Sequence, residues 1–228
     1  MRKSLIDRLD ASIAAKSLLD HPFYQDWSAG KLTLEDLRHY AVQYYHFESN
    51  FPTMLSAIHS HCPVPQVRQD ILDNLWDEEH GPRNHPALWL QFCQALGLPR
   101  ETVLEGKVYP ETHALVDTLS SIASSRPFTQ GLAAIYAYER QVPAIAEKKL
   151  EGLASFYGIQ EPEEVEFFTL HMGLDVDHAE AEAKAISQHV QTSKQEEEVE
   201  SALADSLEAL WRFLDGVYTR CQGVAVRG

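Results

Sequence analysis

Residues 171–178 read His-Met-Gly-Leu-Asp-Val-Asp-His, with His171, Asp175 and His178 at steps of four and three. On a helix those steps fall on one face, where two imidazoles and a carboxylate can hold a borderline divalent ion such as iron or manganese. Asp177 lies off that face and is the weaker candidate. Taken alone, the segment also reads as a polar surface helix. A second cluster, Trp76-Asp-Glu78-Glu79-His80-Gly-Pro-Arg-Asn84-His85, holds Glu78 and His85 seven residues apart. That is about two turns, so a near-continuous helix would align them. Gly81-Pro82 interrupts such a helix, leaving Glu79 or His80 as replacements for Glu78. The third element is Glu139, at the end of the apolar stretch Gly131-Leu-Ala-Ala-Ile-Tyr-Ala-Tyr138. A carboxylate in such a stretch needs a partner, because an unpaired buried charge is costly. That partner is either a metal or a structural cation such as Arg140 or a lysine.

Glu78, Glu139 and Asp175 with His85, His171 and His178 would suit two divalent ions with one bridging carboxylate. Ferritin-like dimetal bundles use Glu-x-x-His pairs. The chain lacks that tetrad, so the pattern points to a different helical bundle.

The elements that must position these groups are helices; apolar spacing is helical almost throughout, with no convincing strand alternation. A first helix is expected from Leu5 to about Leu19, then a short turn at Phe23-Tyr24-x-x-Trp27. Thr33 is the expected cap of a helix through Phe47, and further helices begin near Pro65 and His85. Two more are expected over about 111–123 and 127–151, the second kinked where Pro143 cannot donate to the Glu139 carbonyl. Pro162 is expected to open a helix reaching His189, and the acidic run Gln195–Glu200 to open the last one on a solvated face. The expectation is an all-α fold, one bundle of seven to nine helices forming a single domain over residues 1–228.

The 228 residues carry a net charge of −15, from 34 acidic against 19 basic side chains, which repels nucleic acid and anionic membranes. Cys62, Cys93 and Cys221 are too far apart for a zinc knuckle and read as free thiols of a reducing compartment. Arg2 and Lys3 could begin a signal peptide, but Asp7, Arg8 and Asp10 interrupt any apolar segment, and no run approaches a membrane span. A cytoplasmic protein is expected.

The stretches His21-x-Phe-Tyr24-x-x-Trp-Ser28, Leu-Ser-Ala-Ile-His-Ser60, Asp-Asn-Leu-x-Asp-Glu78-Glu, Asn84-His85, Tyr-x-Tyr-Glu139 and Asp175-x-x-His178 occur in that order. Over residues 5 to about 190 the chain thereby resembles the chlamydial protein associating with death domains and its bacterial relatives. The resemblance implies a haem-oxygenase-like (TenA/PqqC-like) fold, often dimeric. It implies an oxygen-activating site with two ions, iron with iron or iron with manganese, on Glu78, His85, Glu139, His171, Asp175 and His178. It implies O2 as co-substrate, an external reductant, and synthesis of 4-aminobenzoate for folate. In that chemistry the protein's own tyrosine, Tyr24 by position, supplies the ring and Lys149 the nitrogen, with Tyr40 and Tyr138 near the metals. Read without the resemblance, Tyr24 is core packing and Lys149 a solvated helix residue.

Four other readings compete. An oxidase of an external fatty acid or amino acid would use the same ligands without consuming Tyr24. A thiaminase-like hydrolase would need a cysteine nucleophile, and Leu132–Glu139 has none. A haem protein would need an axial ligand, for which His21 or His46 could be offered. An interaction protein binding death domains would have no need of six metal ligands in its core.

Overall fold

A computed structural model describes residues 3–225. Arg2, half of the basic pair weighed as a leader, lies outside the described residues, as does 226–228. Among the described residues there are twelve α-helical segments and no strand. The all-α expectation holds; the larger number of segments arises because prolines and capping residues divide stretches that periodicity alone runs together.

The first such division is near the N-terminus. Helix α1 (Leu5–Ala15) starts at a Ser4/Asp7 capping box and stops before the expected Leu19. A single 3-10 turn follows at Leu18–Asp20, and the expected turn around Tyr24 is a helix, α2 (Pro22–Ser28). Pro22 occupies its first position, where a missing N–H costs nothing, and His21 Nδ1 accepts from the Phe23 amide at 3.0 Å. Helix α3 (Leu34–Glu48) begins at Thr33 as expected, in a second capping box with Asp36. Helix α4 (Phe51–His61) was not foreseen; its Pro52 sits in the first turn after Asn50.

Glu78 and His85 lie on different helices. Helix α5 (Pro65–Glu79) ends at His80, and Gly81 takes a left-handed φ of 77°. Helix α6 (His85–Ala95) restarts with His85 as its first residue, capped by Asn84, whose side chain accepts from the Ala87 amide at 3.0 Å. The near-continuous helix anticipated here is thus a sharp corner, and the corner brings the two side chains together. Short α7 (Arg100–Leu104) leads to α8 (Pro110–Ser125).

The expected kinked helix over 127–151 is two helices, α9 (Phe128–Glu139) and α10 (Val142–Gly152). Pro143 has no N–H for the Glu139 carbonyl, so the ladder breaks at Arg140–Gln141. Helix α9 is buried from Thr129 through Glu139, on every face, as expected of a helix at the centre of a bundle. Helices α4, α8, α11 and α12 pack around it. Against α4 the approach is close enough that a Cβ on Gly131 would lie 2.8 Å from Ile58 Cγ1.

Pro162 does not open a helix; it sits in a turn closed by the Glu164 and Val165 amides on the Glu161 carbonyl, at 2.9 and 3.2 Å. Helix α11 (Glu166–His189) starts after it and reaches the expected end. Helix α12 (Ser193–Ala225) closes the bundle; Arg8 of α1 pairs with its Glu196 and Glu200 at 2.8 and 2.6 Å. The buried apolar residues form one main cluster from Leu9 to Cys221. No helix among the described residues is long and apolar enough to cross a membrane.

Candidate metal centre

The ends of α5 and α9, the start of α6 and the middle of α11 deliver Glu78, Glu139, His85 and the His171/Asp175/His178 face to the interior. Their donor atoms gather in two neighbouring sets. Glu78, His85 and His171, joined by Glu48 of α3, have donor atoms within 4.8 Å of one another, and so do Glu139, Asp175 and His178. All six residues expected from the sequence are therefore brought to one place. The alternatives are not: Glu79, His80 and Asp177 are exposed.

The condition of these donors shows whether they suit a cation. Glu78 Oε1 approaches His85 Nδ1 to 2.9 Å without hydrogen-bond alignment. Both His85 nitrogens, Glu78 Oε2, Glu139 Oε2, Asp175 Oδ2 and His178 Nδ1 are buried with no hydrogen-bond partner. Buried polar atoms are rarely left so, and a cluster of them converging on one point suits a cation. His171, His178 and Glu139 are each held through another atom. His171 Nδ1 lies 2.6 Å from the Phe167 carbonyl, which can only accept, so Nδ1 carries the proton and Nε2 is free to ligate. His178 Nε2 faces Asp77 Oδ2 at 3.3 Å, leaving Nδ1 turned towards Asp175 Oδ1 at 4.0 Å. A carboxylate or carbonyl behind a ligating imidazole fixes its ring and tautomer. Glu139 is fully buried and accepts from Asn74 Nδ2 at 2.9 Å. Arg140, the salt-bridge partner considered for it, turns instead to Asp10 at 3.3 Å.

Electrostatics agree with this. Burial pushes Glu78 up to about 8, helped by Asp77, and Glu48 up to about 8, helped by Glu78. Glu139 rises to about 7, again by burial first, and Asp175 lies well above the usual range through burial and its three carboxylate neighbours. Burial and His85 hold His171 well below the imidazole range. In the absence of a cation, burial favours the protonated carboxyls and the neutral His85 and His171 imidazoles. Divalent ions would displace those protons and leave carboxylates and neutral imidazoles, the forms that ligate.

Beside His171 lies a cavity of about 30 Å³ lined by Tyr24, Tyr40, Tyr44, Tyr138 and Lys149. Lys149 is buried, not solvated; its Nζ donates to the Tyr40 hydroxyl at 2.7 Å. The rings of Tyr44, Tyr40 and Tyr24 surround that nitrogen at 4.9, 5.0 and 5.6 Å. Tyr24 Oη and Tyr40 Oη are 3.2 Å apart, and Tyr44 and Tyr138 share a hydroxyl–hydroxyl hydrogen bond. Desolvation lowers Lys149 to about 7 and raises all four phenols. The thiols are elsewhere and inert: burial pushes Cys93 and Cys221 to about 12 and raises Cys62.

Sequence reading missed Glu48, Tyr44, Asn74, Asp77 and Glu182. A signal existed for most of them. Tyr40, Tyr44 and Glu48 are spaced by four, as are Asn74 and Glu78, and Glu182 extends the His171/Asp175/His178 face by one more step of four. Glu182 is buried beside Glu139; its own burial, and then the charge of Glu139, hold its carboxyl well above the usual range.

Residues 38–211 match the family model described as iron-containing redox enzyme. The chain is 44% identical over 220 residues to a protein of Nitrosomonas europaea named 4-aminobenzoate synthase, covering 92% of this chain and 89% of that one. It is 39% identical to a protein of the same name from Chlamydia trachomatis serovar D, covering 93% and 91%. A Shewanella denitrificans structure described as having a haem oxygenase-like fold superposes with a TM-score of 0.80 at 22% identity, covering 96% and 92%. The chain belongs to the haem-oxygenase-like family of iron-containing redox enzymes.

Proposed function

We propose that the chain is an O2-dependent, two-metal 4-aminobenzoate synthase serving folate biosynthesis, with Tyr24 as the source of the ring and Lys149 as the amine donor. Relatives bearing that name at 36–44% identity support the product. The observation that carries the internal substrate is the buried Lys149 amine, enclosed by tyrosines next to the metal ligands. Two divalent ions, iron with iron or iron with manganese, held by Glu78, His85, Glu139, His171, Asp175 and His178, would supply electrons to O2 and oxidising power, an external reductant restoring them.

The protein's own groups do the rest. 4-Aminobenzoate carries its nitrogen para to the carboxylate, and Tyr24 already has the para pattern. Forming it would exchange the ring C–O bond for C–N and break the Lys149 Cε–Nζ bond. It would also break Cα–Cβ of Tyr24 with oxidation of Cβ to the carboxylate, O2 being the oxidant and the phenolic oxygen leaving as water. At a pKa of about 7, set by desolvation, much of the Lys149 amine has a free lone pair at neutral pH. Tyr40 lies between donor and ring: its hydroxyl accepts from Lys149 Nζ at 2.7 Å and meets the Tyr24 hydroxyl at 3.2 Å, so Tyr40 Oη can pass a proton between them. Burial keeps Tyr24 and Tyr138 protonated, each phenol holding its proton until an electron leaves.

The cavity argues against an external substrate. About 30 Å³ accommodates one or two molecules the size of water or O2, not a fatty acid or an amino acid. The raised thiols argue against a thiaminase-like nucleophile.

The test is 4-aminobenzoate released per chain by metal-loaded protein given O2 and a reductant. A yield at or below about one per chain, lost in Tyr24→Phe at unchanged metal content, is expected for a protein consumed by its own reaction. Many turnovers per chain would mean an external substrate.

A further inference from the structure

We propose that Glu48 is a ligand to the same ion as Glu78, His85 and His171, so that one ion takes four protein donors and its neighbour three. The inference rests on the two-ion reading above and goes beyond its six ligands. Glu48 sits at the last position of α3 and is 2% exposed. Its carboxylate shares the 4.8 Å donor cluster with Glu78, His85 and His171. Its Oε1 is buried with no hydrogen-bond partner, and the nearby Lys149 amine gives its hydrogen bond to Tyr40. A carboxylate placed there for structure alone would need partners for both oxygens; Tyr44 and Lys149 lie near the group, yet Oε1 has no hydrogen-bond partner.

Charge makes the same point. With Glu78, Glu139 and Asp175 alone, three negative charges face the four positive charges of two divalent ions. Adding Glu48 brings the count to four, with Glu48 and Glu78 in one set and Glu139 and Asp175 in the other. Each ion then meets two carboxylates, and with the adjoining Glu182 kept protonated by burial the centre reaches neutrality, which low-dielectric surroundings strongly favour. The sets still differ. Glu48, Glu78, His85 and His171 surround their ion more completely, whereas Glu139, Asp175 and His178 leave more positions for water or O2. Glu48 also lies one helical turn from Tyr44, so the same residue ties the fuller set to the tyrosine array.

The experiment is anaerobic titration of the full chain with Fe(II) and, separately, Mn(II), reading ions bound per chain and their affinities for wild type, Glu48→Gln, Glu48→Ala and Glu48→Asp. Wild type should bind two ions. Glu48→Gln and Glu48→Ala should lose one ion or weaken one site at least ~10-fold, with Glu48→Asp between them and wild type. A second readout needs no metal: melting of the metal-free protein. Replacing a buried carboxyl that has one unpartnered oxygen should leave metal-free Glu48→Gln as stable as wild type or more so, whereas the metal-loaded variant melts lower. Two ions bound with unchanged affinity by both Gln and Ala variants would overturn the proposal. So would a metal-free Glu48→Gln destabilised as much as the loaded one, which marks a structural carboxylate. A wild-type chain binding one ion would sink the two-ion reading itself; Glu48 would then stand or fall on whether Glu48→Gln loses that ion.

Discussion

Lys149 carries more of the functional argument than any other single residue. An amine on α10 is normally solvated, with its stem on the surface and its charge in water. Here it is buried among Tyr24, Tyr40 and Tyr44, and nothing nearby forms a salt bridge with it. Holding an amine in such a place costs free energy, which is what lowers its pKa to about 7. Replacing it with methionine keeps the length and volume while removing the amine. Lys149→Met should therefore abolish 4-aminobenzoate formation, at least ~100-fold by mass spectrometry. Two ions per chain should still bind and melting should be unchanged or higher, since the buried amine is itself unfavourable. Loss of fold together with product would instead mark Lys149 as structural.

At the scale of the element, the corner between α5 and α6 decides whether one half of the centre exists. Glu78 lies in the last turn of one helix and His85 begins the next, so their approach depends on Gly81 in its left-handed turn and on the Asn84 cap. The cap satisfies the Ala87 amide and fixes the first turn from which His85 projects. Asn84→Ala should lower stability by about 1 kcal/mol in chemical denaturation. It should also weaken metal binding at the His85 site, while leaving the Glu139/Asp175/His178 set, on α9 and α11, nearly untouched. Equal weakening at both sites would show that the cap acts only through global stability.

For the whole molecule, the cost of the centre is spread over a bundle that must enclose Glu48, Glu78, Glu139, Asp175 and Glu182 together. Their folded pKa values lie above the ordinary 3.8–4.5, so the folded chain holds more protons than the unfolded chain between about pH 4.5 and 8. Stability from these groups is present below the lower limit and is lost as pH rises. His171 and His85, held below 6.5, act oppositely only below that pH, and Lys149 begins to restore stability only above about 7. In metal-free protein the melting temperature should therefore fall from pH 6.5 to about 8, read by calorimetry. With metal bound, the carboxylates are neutralised by the ions and the fall should vanish or reverse. A metal-free chain with a flat profile would mean that the carboxyls are not confined together.

The sequence by itself determined the helical class and the face carrying His171, Asp175 and His178, because helical periodicity is a local property written in residue spacing. It marked Glu139 as anomalous for a related reason: a charge inside an apolar run is visible without coordinates. Thr33 capping and the break at Pro143 were legible because caps and prolines act within a turn or two. Only the tertiary structure decided that Glu78 and His85 meet across a corner instead of along a helix, since two helices joined at a left-handed glycine leave no periodic trace. It also decided that Lys149 is buried and that Glu48 gathers with Glu78, His85 and His171. Burial of a polar side chain depends on which distant helix packs over it. For Lys149 of α10 and Glu48 of α3, those partners are set by the bundle as a whole and by no local pattern.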